Sequence, residues 1–337
     1  MATSQPTIQD VARHANVSTA TVSRALSFPE KVSDATRRRV LDAVELTGYS
    51  INQLARNLRK QTTGAIVVLV PNIGNQFFSR ILSGIEAAAS RAGYTVLLCD
   101  TRPASGARPT LAGQFRSDRA DGLVTLDGAL PRELAAPAGN ERRPPLVYAC
   151  EWKEGSPLPS VRFDNEGGAE LAIDHLVSLG HRTIGHVVGP LQNVLSKARH
   201  DGYARAMRRH GLEIRQEWLI GGDFMLESGV MAARRWLVLD EKPTAMFVSN
   251  DEMACGFVSE LHRNGVETPR DLSVVAFDDI DMAGRFIPGL TTVHQPRERI
   301  GEAAFEALFE AMQGAPAPES PRVLPATLIV RESARRI

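Results

Sequence analysis

Hydroxyls, one methyl group and a guanidinium crowd a short stretch near the start of the chain: Ser18, Thr19, Ala20, Thr21, Ser23 and Arg24. Hydroxyls and a methyl suit base edges and the thymine methyl, and an arginine fork matches guanine O6 and N7 in a DNA major groove. Thr7, Ser33, Arg37 and Arg38 flank this group. Such side chains bond or neutralise phosphates, which orients a protein on a duplex without reading its sequence. Arg39 completes a run of three arginines and is the weakest candidate among them. A second group is scattered over the remainder: Asn72, Asn75, Phe77, Phe78, Asp127, Arg199, Phe224, Asn250, Asp251, Asp278 and Asp279. Most follow an apolar run. Carboxylates, amides and a guanidinium suit the hydroxyls of a sugar, and aromatic faces suit its C–H face or a base.

The elements that would position the first group are short. Thr7 can cap a helix over Ile8–Ala15, and the break Asn16-Val17-Ser18 leads at once into a second helix through Leu26. Ser33 can cap a third, with Val40, Val44 and Leu46 turned inward and Gly48 closing it. A helix, a tight turn and a second helix place Thr19, Ala20 and Thr21 where a major groove would receive them. The stretch 52–60, NQLARNLRK, is basic and marginally amphipathic, too short to hold a helix alone in water.

From Gly64 the pattern changes to alternating strands and helices. Apolar runs at 64–71, 94–100, 121–126 and 145–150 read as strands, with a helix at 77–92. Helices at 167–179, 198–210, 228–237 and 252–263 then alternate with strands at 182–189, 217–224, 244–250 and 273–279. A last set, 290–296, a helix at 297–312 and the run 323–333, implies that the chain crosses back between lobes. The expected fold is a small all-α helix-turn-helix headpiece plus an α/β body of two doubly wound lobes. Ligands of such sheets bind at the carboxyl ends of the strands, where the second group falls.

Composition narrows the class. The 337 residues are 43% apolar and 23% charged with zero formal net charge, an ordinary globular balance. Residues 1–63 nevertheless hold nine Lys or Arg against five Asp or Glu, an excess of roughly +4 suited to nucleic acid. Cys99, Cys150 and Cys255 lack metal-ligand spacing and read as buried free thiols. Neither a secretion signal nor a membrane span is evident, so a cytoplasmic address is expected, on the nucleoid when DNA is bound. A periplasmic sugar-binding protein would share the two lobes but not the headpiece. No nucleophile elbow, phosphate loop, paired metal ligands or Cys–His arrangement appears, so catalytic, metal and cofactor sites are not expected. His14 lies in the headpiece, and His175, His181 and His186 surround a helix–strand junction where solvated or capping roles are expected.

DVARHANVSTATVSRAL (10–26), KVSDATRRRV (31–40) and the closing Gly48-Tyr49 resemble the headpiece of the LacI/GalR repressors. The resemblance continues through FFSRILSGIE (77–86), GDF (222–224) and LTTVHQPRERIG (290–301), stretches similar to a cytidine-responsive member of that family. It implies a periplasmic-binding-protein-like body, and a hinge whose Asn52, Ala55, Leu58 and Arg59 meet DNA. Leu58 falls where family leucines wedge into the minor groove of a kinked step. Ser50-Ile51 stands where many members have a proline. It further implies that Arg199 (in R-x-x-G-Y), Asn250 and Asp278 hold effector hydroxyls, and that Phe78 and Phe224 sandwich a ring or base. Asn72, Asp127, Phe77 (the one of the two neighbouring phenylalanines more inclined to packing) and Gln295, near the lobe-crossing strands, complete a set of nine candidate effector residues. The implied domains are a headpiece at 1–50 and a hinge at 51–63. An N-terminal lobe covers 64–163 with 294–322, and a C-terminal lobe covers 164–293 with 323–337. The expectation is a ligand-responsive repressor, a homodimer on double-stranded, pseudo-palindromic operator DNA, joined mainly through helix 77–92 and second-lobe surfaces. Its effector would be a nucleoside or ribose-like pentose, with a different sugar as the alternative.

Overall fold

A computed structural model describes residues 6–49, 62–101, 120–129 and 145–337. The predicted hinge helix, with Asn52, Ala55, Leu58 and Arg59, lies outside the described residues. The chain divides into two compact units that part between Thr62 and Thr63.

In the first unit, α1 (Ile8–Ala15) opens where Thr7 donates its backbone N–H and its hydroxyl to Asp10 Oδ2, at 2.9 and 2.8 Å. Asn16 ends it in the left-handed region, φ 51°, a conformation that asparagine tolerates better than most residues. Ser18 then caps α2 (Thr19–Ser27), its Oγ accepting the Thr21 N–H at 3.1 Å. Pro29–Lys31 make one 3₁₀ turn, and α3 (Asp34–Thr47) runs to Gly48 at φ 66°. Val11, Ala12, Ala15, Val22, Ala25, Val40 and Ala43 form the small core. Leu46, expected inward, is instead 79% exposed. Six residues past Val40 the helix has turned roughly 240° away from the buried face, which Ala43 occupies.

The second unit holds two six-stranded sheets. In chain order its elements are β1 (Ala65–Val70), α4 (Gln76–Arg91), β2 (Thr95–Asp100), β3 (Gly122–Thr125), β4 (Leu146–Ala149), β5 (Ser160–Phe163), α5 (Asn165–Ser178), β6 (Ile184–Val188) and α6 (Val194–Arg209). There follow β7 (Leu219–Gly221), α7 (Leu226–Leu237), β8 (Ala245–Val248), α8 (Asp251–Arg263), β9 (Ser273–Asp278), β10 (Thr291–His294), α9 (Arg297–Met312), β11 (Arg322–Leu324) and β12 (Thr327–Ile329). The first sheet has the order β11-β5-β4-β3-β1-β2 and the second β12-β10-β9-β8-β6-β7. All pairings are parallel except β10 with β12. The backbone passes between the sheets after Phe163, after His294 and after Leu324. The last two crossings fall one and two residues later than the sequence reading placed them, because His294 still pairs with Asp278 and β11 pairs with β5.

Four-residue β5 had no counterpart in the sequence reading. Helix α6 begins four residues before the predicted Ala198, because Asn193 caps it by accepting the Leu195 and Ser196 N–H groups. Only Leu219–Gly221 of the predicted 217–224 strand pairs in the sheet. Helices α4 and α9 touch backbone to backbone. A Cβ at Gly84 would lie 2.1 Å from the Glu298 carbonyl oxygen, and one at Gly301 2.0 Å from that of Ile81. All three cysteines are buried. The solvated role expected for His181 and His186 is not observed. Both are buried, His181 bonding Thr244 and Ser273, and His186 lying 3.0 Å from Ser249 Oγ with its ring against Phe247. Among the described residues no helix is long and apolar enough to cross a membrane.

Candidate functional sites

On the headpiece, α2 is anchored by Val22 and Ala25 and turns its other side to solvent. Thr19, Ala20 and Arg24 are exposed, and Thr21 and Ser23 are partly so. Ser18 Oγ is engaged by the Thr21 N–H and by Thr21 Oγ1 at 2.9 Å, so its first task is capping. Thr7 is likewise occupied by Asp10. Ser33 meets Thr36 Oγ1 at 3.0 Å, and Arg37, one turn into α3, is exposed. The face thus offers hydroxyls, a methyl and guanidinium groups held on short rigid elements.

In the body a cavity of about 690 Å³ opens between the lobes at the carboxyl ends of the strands. Asn72, Phe77, Phe78, Arg199, Phe224, Asn250 and Asp278 line it, which brings together seven of the nine predicted effector residues. Phe77 and Phe78 meet edge to face, with centroids 5.2 Å apart, and both reach the cavity. Asn72 Oδ1 accepts the Gly74 N–H and shapes the loop before α4.

Arg199 is 2% exposed. Its Nε donates to Asn165 Oδ1 at 2.9 Å, one terminal nitrogen donates to the Ser249 carbonyl at 2.5 Å, and the other faces Asp278 Oδ1 at 3.4 Å. The guanidinium also lies 3.9 Å from the Phe277 ring centroid. Burial pushes the Asp278 carboxyl up to about 6, with Arg199 opposing the shift, and the same burial lowers the Arg199 pKa. Asn250 donates to the Phe224 carbonyl at 2.9 Å, tying that aromatic's backbone to the start of α8.

Two predicted contacts are corrected. Asp127 does not line the cavity: it is 2% exposed, accepting the Thr101 hydroxyl at 2.7 Å and the Ala129 N–H at 2.9 Å. The strand-end rule located its position but not the direction of its side chain. Gln295 is also buried outside the lining and donates to Asp278 Oδ1 at 2.6 Å, so it orients a cleft carboxylate from behind. Asp251 is structural too, accepting Thr292 Oγ1 at 2.6 Å and the Ile280 N–H at 2.8 Å, while burial holds its pKa well above the usual carboxylate range.

Sequence reasoning missed Glu151, Trp152 and Asn193, all in the lining. Glu151 accepts the Gly128 N–H at 2.9 Å in its own lobe and the Asn193 side-chain amide at 2.7 Å from the other. Its place just beyond β4 follows the rule that selected the other residues.

Backbone strain marks the same place. Among the described residues five non-glycine positions have positive φ. Asn16 is a helix cap, and the others are Cys150 (68°), Phe224 (71°), Asp278 (113°) and Asp279 (52°), which lie at or within three residues of the carboxyl ends of β4, β7 and β9. Such conformations persist where surrounding structure enforces them, and they gather at ligand sites.

Comparison with known proteins gives the same division. Residues 7–52 match the family described as "Bacterial regulatory proteins, lacI family", and residues 173–334 match "Periplasmic binding protein-like domain". The chain is 39% identical over 333 residues to the HTH-type transcriptional repressor CytR of Escherichia coli K12, covering 98% of this chain and 97% of that one. It is 36% identical to the repressor PurR of Photobacterium profundum, covering 91% and 92%. Among solved structures, the Lac repressor dimer bound to operator and the anti-inducer ONPF matches at TM-score 0.79 and 28% identity, covering 98% and 99%. The regulator CelR in complex with cellobiose matches at 0.74 and 30%, covering 97% and 99%. A LacI family regulator from Enterococcus faecium with bound ribose matches at 0.72 and 28%, covering 81% and 99%.

Proposed function

The chain belongs to the LacI family of bacterial regulatory proteins as a transcriptional repressor, and from that premise we propose that it binds a pseudo-palindromic operator as a homodimer and is controlled by a nucleoside or ribose-like pentose in the interlobe cleft. Thr19, Ala20, Thr21, Ser23 and Arg24 read base edges, while Ser18, Ser33 and Arg37 position the headpiece on phosphates. Asn52, Ala55, Leu58 and Arg59 supply the hinge contacts. A two-fold dimer matches a two-fold operator. Supporting self-association, Leu97 and Leu98 on edge strand β2 are 45% and 49% exposed beside α4.

The observation that carries the effector reading is the pairing of aromatic rings, Phe78 and Phe224, with a buried guanidinium–carboxylate pair, Arg199 and Asp278, in one cavity. The rings suit a base or the apolar face of a pentose, and the charged pair suits vicinal hydroxyls. The ribose-bound relative is consistent with this choice, and the cellobiose-bound one favours a second reading with a larger sugar. Thermal-shift measurements of the full chain against nucleosides, pentoses, hexoses and cellobiose decide between them. Stabilisation by cellobiose or a hexose alone overturns the nucleoside–pentose reading. Retained gel-shift binding after deletion of residues 1–60 would overturn the headpiece assignment.

A further inference from the structure

The headpiece leaves its one described phenylalanine outside its core. Phe28 follows directly on α2 and is 50% exposed, although a large ring is ordinarily among the first side chains a small core takes up. It is not on a loose loop. Its N–H donates to the Arg24 carbonyl at 2.8 Å, and its carbonyl accepts the Lys31 N–H at 2.9 Å across the 3₁₀ turn that Pro29 opens. That turn carries the Lys31 ammonium to 4.9 Å from the Phe28 ring centroid, a cation–π arrangement. Among the described headpiece residues the one ion pair is Arg13 with Asp10, so the ring rather than a carboxylate holds this lysine. An exposed ring with a cation fixed over it thus adjoins the last turn of the helix that carries Thr19, Ala20 and Arg24.

We propose that Phe28 and Lys31 together form an additional DNA contact of the headpiece. The ammonium neutralises a backbone phosphate beside the base-reading residues, and the ring packs on the adjoining deoxyribose while limiting the rotamers of the lysine. The contact rests on the DNA-binding reading above and deepens it. Being made to the backbone, it is blind to sequence, so specific and non-specific binding share it.

The test uses the full chain and fluorescence anisotropy across a salt series. Two probes serve: a labelled random-sequence duplex of about 30 base pairs, and an operator duplex selected from a random pool by the wild-type chain. A lysine–phosphate contact contributes roughly 0.9 to the slope of log K against log salt. With one such lysine in each headpiece of a dimer, Lys31→Met should lower the slope by roughly 1.8 on both duplexes and leave their affinity ratio unchanged. Lys31→Arg should keep the slope. Phe28→Ala should weaken both complexes several-fold, and the double variant should lose less than the product of the single losses. Because neither side chain is in the core, circular dichroism and the melting temperature should match the wild type. An unchanged slope for Lys31→Met, on duplexes that the wild type binds, overturns this contact alone. Wild-type DNA affinity in both variants with altered self-association assigns the patch to a protein interface and also overturns it. Failure of the wild type to bind either duplex overturns the DNA-binding reading instead.

Discussion

Replacing Arg199 with methionine removes a guanidinium and keeps an apolar stem of similar reach. The side chain is 2% exposed, so water cannot substitute for what is lost. The Asn165 amide oxygen and the Ser249 carbonyl lose a donor, and Asp278, 4% exposed, loses its cationic neighbour. Breaking a buried pair from one side costs about 3–5 kcal/mol. The size should depend on pH, and the sign follows from Asp278. Its folded pKa of about 6 lies above the 3.8 of a free carboxyl, so the folded state holds this proton more tightly. The group's contribution to stability is therefore fullest below about pH 4 and declines as pH rises through 6, by about 3 kcal/mol in all. Without Arg199 that pKa climbs further. At pH 5 the carboxyl is mostly neutral in both proteins, and at pH 8 the variant leaves it only the weaker counter-charge of Arg297 and the Gln295 amide. Urea unfolding of the full chain should show a gap of about 3 kcal/mol or more at pH 8, clearly smaller at pH 5, and Asp278→Asn in the same chain should close part of it. A gap below about 1 kcal/mol at pH 8, or an equal gap at both pH values, refutes the reasoning.

Arg24→Ala should cost about 1–3 kcal/mol on the selected operator but little on random-sequence duplex, since a base contact is lost, and anisotropy titration distinguishes the two. Gly301→Ala forces a methyl to within 2.0 Å of the Ile81 carbonyl oxygen and should lower stability by about 1–3 kcal/mol in thermal melts. Leu46→Gln, at a position 79% exposed, should stay within about 0.5 kcal/mol of the wild type in the same melts. Ser18→Ala removes the acceptor of the Thr21 N–H and should cost α2 about 1 kcal/mol, seen as faster amide exchange at Thr21.

The headpiece was legible because its signals are local. Thr7, Ser18, Asn16 and Gly48 act within a turn of their own positions, so residue type alone locates the helix ends. The alternating sheets were legible for a related reason, since buried parallel strands read as apolar runs whatever they pair with. What was lost depended on long-range packing. Ser160–Phe163 is too short to signal itself and is a strand because β4 and β11 flank it. Asp127 and Gln295 show the limit of a strand-end rule. Each sits at the right level of the fold, but one turns to Thr101 and the other to the rear of Asp278. Glu151 and Trp152 were accessible to the same rule and lie just past where the reading of the 145–150 run stopped.

The contacts that cross between the lobes differ in kind, and the difference bears on what controls their orientation. Arg80 of α4 forms a two-point pair with Asp281, and Lys197 meets Glu154 at 3.1 Å, but these groups are 46%, 70%, 61% and 66% exposed. Water and salt screen such pairs, so each holds the lobes only weakly. The Glu151–Asn193 bond is mostly shielded from solvent and lies in the cavity wall. Facing it are Phe224 and Asp278, held in left-handed backbone conformations by their own lobe. A molecule seated between Phe78 and Phe224 would touch both lobes at once, beside buried Arg199 and Asp278. Its binding free energy would then depend on the lobe angle, whereas that of the outer ion pairs depends mainly on ionic strength. Differential affinity for two lobe orientations is what a ligand needs to shift the equilibrium between them. In this chain the cleft can supply it, and the exposed bridges cannot.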